Sequence, residues 1–435
     1  MRVAVIAPGN GLPYYCENCT RDGSVLRALV ERGHEVTCGT LYLPSPRDEY
    51  GRSAPVFYGA LNLVLGQALP RGRGVPHWLH RALDQGPLLR LAASLSGTTD
   101  ARGMVPLTLS VLQGEEGAQA GELDRLIQWL RSVCPDVLYL SNCLLLGIAR
   151  RARRELGIPV ACALQDEDTW IDAMGPKGQT AAWSILKERS AEVDLFLPVS
   201  SCYGGLMSAR LGIGEGRMKV VHPGIDLEGF PGTPSTLDAE PPAVGFLARL
   251  SEAMGVDILV EAFALLCEGG GFPRLVLRLA GGGTAGDYRL LRRLRRMLHG
   301  RGLGGRLEVV RSFGRLQRIE FLRSIRVLSV PVRGGEAFGT FLLEAMACGV
   351  PVVQPALGGF PEVIAPARAG VLYGPNTPEA LADALAGVLS DSAAARAMGS
   401  AGFEAARSRF TSAHMAERLE DALTAITRAG ERCTT

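Results

Sequence analysis

The sequence of 435 residues predicts an α/β protein built from two parallel-sheet domains. Three observations carry that expectation. Short β-branched runs alternate with helical periodicity along the chain, the pattern of parallel strands joined by helical crossovers. The length exceeds what one core ordinarily serves, so the chain divides into halves that each bury their own. Between two such alternating series lies Asp226 to Pro242, rich in Pro, Gly and Thr, which reads as a linker.

In the first half, strands are expected at Val3–Ala7, Glu35–Gly39, Val137–Leu140, Val160–Leu164, Leu195–Val199 and Lys219–His222. The helix after the first strand sets Leu26, Leu29 and Val30 on one face and ends at Gly33. Residues 44 to 120 break the alternation with many Pro, Gly and Arg residues, and Arg71, Arg73, His77, Trp78, His80 and Arg81 lie close together. In the second half the expected strands are Ala243–Ala248, Leu275–Ala280, Leu307–Val310, Val327–Val332, Val352–Gln354 and Val371–Tyr373, followed by three helical stretches. Ligands of open α/β sheets bind beyond the carboxyl ends of the strands. Two such domains facing each other would enclose a central cleft.

Composition excludes several classes of function. Lys and Arg total 46 against 44 Asp and Glu, a net charge of +2 that exerts no general pull on nucleic acid. A hydrophobic content of 47% with 21% charged residues describes a folded protein rather than a disordered one. No apolar run approaches the ~20 residues of a membrane span. Met1 to Pro8 is too short for a signal peptide and reads as a buried first strand. The ten cysteines are scattered, mostly in apolar runs such as Ala161-Cys162-Ala163, and read as reduced thiols of a cytoplasmic protein. The run Arg289, Arg292, Arg293, Arg295 and Arg296 reads as a solvated helix face.

The richest segment for chemistry is Gly334 to Pro351. Glu336 and Glu344 stand eight positions apart, the first in a glycine-rich loop and the second a turn into an apolar helix. Thr340 is the expected N-cap, and Phe341, Leu342, Leu343, Ala345 and Met346 follow before Gly349 stops the helix. A helix start carries partial positive charge and N–H donors, which suits a diphosphate. A carboxylate only accepts hydrogen bonds, which suits the paired hydroxyls of a ribose or a sugar ring.

This block resembles the E-x7-E signature of retaining family-4 glycosyltransferases. The likeness continues through Pro351-Val352-Val353-Gln354, Gly358-Gly359-Phe360-Pro361-Glu362-Val363 and Gly370-Val371-Leu372-Tyr373. Upstream it takes in His222-Pro223-Gly224-Ile225-Asp226 and Gly245 to Leu250; it is close over roughly 195–430 and thinner before. The resemblance implies the GT-B fold, α/β with two facing Rossmann-like domains, parallel sheets and a central cleft. The expected divisions are residues 1–225 for an acceptor-side domain with the elaboration at 44–120, then 226–242 for the linker. Residues 243–410 would form a nucleotide-sugar domain, and 411–435 a helix crossing back to the first. The resemblance further implies that Glu344 holds the nucleotide ribose, Glu336 contacts the donor sugar and Arg249 faces the diphosphate, with Arg249 and Glu336 the catalytic pair. The resemblance implies a uracil base, so UDP is the expected nucleotide, and no metal or other cofactor is expected.

Other residues join these on chemical grounds. Arg249 follows an apolar strand, where its fork of donors can bind phosphate oxygens, though a lone arginine there also serves a structural salt bridge. Gly9, Asn10 and Gly11 follow the first strand, where glycines permit close backbone approach to an anion, as they would in any tight turn. The amides of Phe338, Gly339 and Thr340 would add donors. Asp166, Glu167 and Asp168 look like a D-x-D metal motif, but the wider likeness favours their gripping acceptor hydroxyls or an amine. Gly72, Gly74 and Pro76 interrupt the basic and aromatic run from Arg71 to Arg81, which disfavours a helix on a membrane surface.

Two departures qualify the resemblance. Most members carry a lysine five residues after the arginine matching Arg249, where this chain has Met254, and many place a histidine where it has Gln165 or Asp166. Arg333 is the nearest candidate for the missing cation. The leading expectation is therefore a transferase moving a sugar from a nucleotide diphosphate sugar to an acceptor that the sequence does not name. A nucleotide-sugar-binding protein with weak or lost turnover is the first alternative. A redox or metal module on Cys16 and Cys19, a C-x-x-C pair with two of the four ligands of a zinc site, is the second.

Overall fold

A computed structural model describes residues 1–8, 17–41, 55–57, 101–283, 285–310 and 314–433. The chain divides into two units. The first comprises Met1–Leu12, Asn18–His222 and Met415–Thr435, and the second Pro13–Glu17 and Pro223–His414.

The sheet of the first unit contains β1 (Arg2–Ala7), β2 (Glu35–Leu41), β3 (Val56–Phe57), β4 (Val137–Leu140), β5 (Val160–Leu164) and β6 (Leu195–Pro198). Their spatial order is β3-β2-β1-β4-β5-β6 and every pairing is parallel. Strands β1, β4 and β5 are buried along nearly their whole length, as expected where helices cover both faces. The helix Glu17–Glu31 follows β1 and ends before Gly33, whose φ of 87° is the left-handed C-terminal position that glycine adopts cheaply. Val25, Leu26, Ala28 and Leu29 are its buried face. Val30, expected inward, is 55% exposed, because its neighbours already fill the sheet-facing side. Met415, Ala416, Leu419, Ala422 and Leu423 of the helix Ser412–Cys433 join Val3, Val5 and Val137 in one hydrophobic core.

Lys219–His222, expected as a strand, is not one. It runs beside β6, with Lys219 N–H donating to Phe196 O (3.0 Å) and Val221 N–H to Pro198 O (3.0 Å), but forms only an isolated bridge. Pro223 ends that edge, having no N–H to continue it. In the elaboration expected over 44–120, the described part holds β3 and the helix Val105–Gln113, and the helix Ala120–Val133 begins at its end. The basic cluster from Arg71 to Arg81 lies outside the described residues.

The second unit repeats the plan with β7 (Ala243–Leu247), β8 (Val276–Ala280), β9 (Leu307–Val310), β10 (Val327–Leu328), β11 (Val352–Pro355) and β12 (Gly370–Tyr373). Their order is β12-β11-β10-β7-β8-β9, again all parallel. Strand β10 is shorter than the apolar run Val327–Val332 suggested. Pro331 has no N–H, and Val330 N–H donates to the side-chain oxygen of Gln354 (3.2 Å) instead of to a neighbouring strand. The expected linker 226–242 is held against this unit. Arg315 pairs with Asp226 (3.2 Å), and Ser235 N–H donates to Cys348 O (2.9 Å). Among the described residues no helix is long and apolar enough to cross a membrane.

Candidate functional site

Strands β7 and β10 are neighbours at the centre of the second sheet, and the chain leaves them in opposite directions, β7 toward β8 and β10 toward β11. Such a topological switch opens a crevice past the carboxyl ends of the two strands. Arg249 follows β7, and the segment Arg333–Gly339 follows the short β10. Two sequence-predicted groups thus come from the pair of strands that flank the switch.

Arg249 is 46% exposed on its side chain, and its Nε donates to Asp287 Oδ2 at 2.9 Å. Asp287 sits in the first turn of the helix Ala285–Gly300 after β8. Leu250 N–H donates to Gly282 O (3.0 Å), so the turn that carries Arg249 is pinned to the glycine run following β8. On the same helix Leu290, Leu291, Leu294 and Leu298 are buried, while the five arginines from Arg289 to Arg296 stay exposed as the sequence led us to expect.

The loop carrying Glu336 is tighter than its glycine content suggests. Gly359 N–H donates to Glu336 O at 2.8 Å. Gly358 has φ 57°, and a Cβ there would stand 2.3 Å from Glu336 O, so a larger residue cannot occupy it without moving the motif loop. The backbone around Glu336 is therefore built against the loop after β11, with the side chain left half-buried. Thr340 is the first residue of the helix Thr340–Ala347, not its cap. The cap is Gly339, at φ 85°, and it offers no side chain to the helix start. A Cβ at Gly339 would meet Phe360 Cε1 at 2.9 Å and Phe341 at 3.2 Å. The rings of Phe341 and Phe360 pack edge to face with centroids 6.1 Å apart, fixing the motif helix to the helix Phe360–Ala367. Phe338 is buried and stacks edge-on against Phe410 at 6.2 Å.

Glu344 is only 2% exposed and faces a partner that sequence reasoning missed. Arg318 Nε donates to both carboxylate oxygens, at 3.1 Å to Oε1 and 3.0 Å to Oε2, and Nη2 donates to Oε1 at 2.8 Å. Arg318 is itself 8% exposed, on the helix Arg315–Arg323. The signal was available. Arg318 shares a helix face with Phe321 and Leu322 at i+3 and i+4, so a charged residue stands where the periodicity asks for an apolar one.

Met254 is half-buried in the turn before the helix Val256–Glu268. Arg333 backs onto that same turn. Its N–H donates to Ala253 O (3.1 Å), its Nε donates to Glu252 O (3.0 Å), and its guanidinium pairs with Asp257. The candidate substitute cation therefore lies beside the position where the family lysine is missing, though anchored by Asp257.

In the first unit, Asp166, Glu167 and Asp168 follow β5, and the three separate in role. Glu167 is turned inward. It accepts from Cys143 N–H (3.0 Å), Gln165 N–H (2.5 Å) and the Tyr203 hydroxyl (3.0 Å). Burial pushes its carboxyl up to about 7 even though these donors pull the other way. It ties together the ends of β4 and β5 and has no surface to offer an acceptor. Asp168 is half-buried and meets the same Tyr203 hydroxyl at 2.8 Å, and Asp166 is half-buried with φ 56°. Gly9, Asn10, Gly11 and Cys16 lie outside the described residues, as does the side chain of Cys19. Among the described residues no group of three or more His, Cys, Asp or Glu side chains is placed to hold a metal ion.

Comparison with known proteins supplies family context for both units. Residues 21–224 match the model described as Glycosyl transferase 4-like domain, and residues 233–405 match Glycosyl transferases group 1. A D-inositol 3-phosphate glycosyltransferase of Xylanimonas cellulosilytica is 34% identical over 207 residues, 45% of this chain and 48% of that protein. The chain thus spans about half the length of the curated relatives it matches. Anabaena HepE, solved in complex with UDP-glucose, superposes with a TM-score of 0.70 at 17% identity, covering 97% of this chain and 99% of its own. Sucrose-phosphate synthase of Thermosynechococcus elongatus superposes with a TM-score of 0.71 at 18% identity over 99% and 100% of the two chains. With a glycosyl transferase 4-like region followed by a group 1 region, each on its own six-stranded parallel sheet, the chain has the GT-B glycosyltransferase architecture.

Proposed function

We propose that the protein is a retaining, metal-independent hexosyltransferase that takes its sugar from a UDP-sugar. The observation that carries this reading is the shared switch point: an arginine follows β7, and a half-buried glutamate, a helix start opened by a left-handed glycine and a buried glutamate follow its neighbour β10. Each matches one part of a nucleotide diphosphate sugar. Arg249 serves the diphosphate, the amides of Phe338, Gly339 and Thr340 assist it, Glu336 meets the sugar and Glu344 accepts from the ribose hydroxyls. HepE is a structural neighbour solved with UDP and with UDP-glucose, which supports uracil as the base. In a retaining front-face transfer the leaving phosphate takes the acceptor proton, so the site needs no separate general base. Asp166 and Asp168, at the end of β5 in the first unit, are the residues left to meet an acceptor.

The test is prolonged incubation with a panel of UDP-sugars in excess EDTA, with released UDP followed by mass spectrometry and the product's anomeric configuration by NMR. UDP release with retained configuration is expected. Inverted configuration, or activity abolished by EDTA and restored by Mn²⁺, overturns the reading.

Met254 favours a second reading, a binding protein with weak turnover, because a thioether supplies neither charge nor a donor. Loss of one preorganised donor costs on the order of 10²–10³ in rate. On the leading reading Arg333, anchored on the Met254 turn, makes good that loss. Arg333→Ala is then expected to lower turnover strongly, while Met254→Lys adds about tenfold or less. A gain of hundreds of fold from Met254→Lys, with Arg333→Ala silent, makes the binding protein the better account.

A further inference from the structure

The pair Arg318–Glu344 is buried almost completely, yet a buried ion pair is a poor device for stability alone. Well-packed apolar residues of similar volume commonly serve as well or better, because two charges must be stripped of water. A reason other than stability is therefore needed for placing a guanidinium on the interior face of the helix Arg315–Arg323. The contact geometry supplies one. Nε reaches both carboxylate oxygens of Glu344, at 3.1 and 3.0 Å, while Nη2 holds Oε1 at 2.8 Å. A single donor spanning both oxygens opposes rotation of the carboxylate about its last carbon–carbon bond, since turning the plane lengthens one contact or the other. A carboxylate offers about four lone-pair sites, so engagement from one side leaves acceptor capacity on the other.

We propose that Arg318 is a positioning residue for nucleotide recognition. It offsets the charge of Glu344 while no ligand is bound and sets the carboxylate plane so that two adjacent hydroxyls meet acceptors already in place. The proposal rests on the reading of Glu344 as the ribose acceptor. On this account Arg318 governs how well the protein senses the ribose diol and leaves the diphosphate contacts alone, because Arg249 comes from a different strand and is held by Asp287. Preorganisation of this kind improves recognition by removing the ordering that a free carboxylate would undergo on binding.

Calorimetric titration with UDP and with 2′-deoxy-UDP separates orientation from general integrity. The full-length protein should bind UDP about tenfold or more tightly than the deoxy compound, as loss of one hydrogen bond to a charged group implies. Arg318→Lys keeps the positive charge but not the fork, and Arg318→Gln keeps neither. Both are expected to bring the ratio to about twofold or less while 2′-deoxy-UDP affinity changes little. A purely structural role would weaken both nucleotides together and keep the ratio, which overturns the proposal. Equal affinity of the unaltered protein for the two nucleotides, or no affinity for either, removes the ribose reading of Glu344 and this proposal with it. Should the variants fail to fold, a crystal structure of the unaltered protein with UDP decides. Arg318 still seated on Glu344, with a ribose hydroxyl on the same carboxylate, supports the assignment; Arg318 displaced from it overturns the assignment.

Discussion

Glu344 shows how one contact changes what a substitution should do. From sequence, truncating it leaves no apolar cavity, so Glu344→Ala is expected to spare the fold and weaken UDP binding. The structure adds a buried guanidinium that would lose its carboxylate, and removing one member of a buried pair costs about 3–5 kcal/mol. Glu344→Ala should therefore lower the thermal midpoint by several degrees, and the double change Arg318→Met with Glu344→Leu should recover most of it. Calorimetric melting checks both, and an unchanged midpoint in Glu344→Ala would show that Arg318 is satisfied elsewhere. Glu167 makes a different prediction, because burial raises its carboxyl to about 7 from an ordinary 4.5. The folded protein then keeps a proton that the unfolded chain has released. This contribution to stability is fully present below pH ~4.5 and is lost as pH rises through ~7. Denaturation at pH 5, 6, 7 and 8 should show stability falling over that window, and Glu167→Gln, uncharged throughout, should flatten the fall. An identical slope in the variant assigns the fall to another group.

Elements decide which of these residues can meet. Gly339 joins the motif loop to the motif helix at φ 85°, with a virtual Cβ 2.9 Å from the Phe360 ring. Gly339→Ala combines a left-handed penalty of about 1–2 kcal/mol with that clash, and should destabilise the second unit by ~2 kcal/mol or more. The variant should also weaken UDP binding, because the helix start and Glu336 shift together. A stable variant with unchanged UDP affinity would show that the helix start does not contact the nucleotide. Eleven of the strands and the motif helix were legible in the sequence, because β-branched runs, apolar periodicity and glycine stops are local signals; the two-residue β3 was not expected, and Lys219–His222 was expected as a strand but is none. Glu336 and Glu344 were legible for the same reason, standing in one short segment. Arg318 and Asp287 were not, since they reach Glu344 and Arg249 from elements 26 and 38 positions away. Strand β10 was overestimated because Val330 and Pro331 are apolar and buried but make no ladder. Thr340 was misplaced by one position because a left-handed glycine, not a hydroxyl, opens the helix.

At the scale of the molecule, two units repeat one strand order, and each has its own switch point: between β1 and β4 in the first, between β7 and β10 in the second. A nucleotide could enter either. Of the residues expected to hold a donor, Arg249, Glu336 and Glu344 belong to the second unit. A ligand stabilises the state to which it binds by RT ln(1 + [L]/Kd), about 2.7 kcal/mol at a hundredfold excess over Kd. Saturating UDP should therefore slow amide exchange in the second unit, most of all around 245–250, 334–344 and 356–360. The core of the first unit, with β1, β4 and the helix Ser412–Cys433, should change far less. Because cationic side chains and a helix start take the place of a metal in the proposed site, the same protection should appear in excess EDTA. Protection confined to the first unit would move the donor site to the other switch point and leave the carboxylates of the motif without their assigned ligand. Protection that disappears with EDTA and returns with Mg²⁺ would instead keep the site and replace its electrostatics, with the metal supplying the charge now ascribed to Arg249 and Arg333.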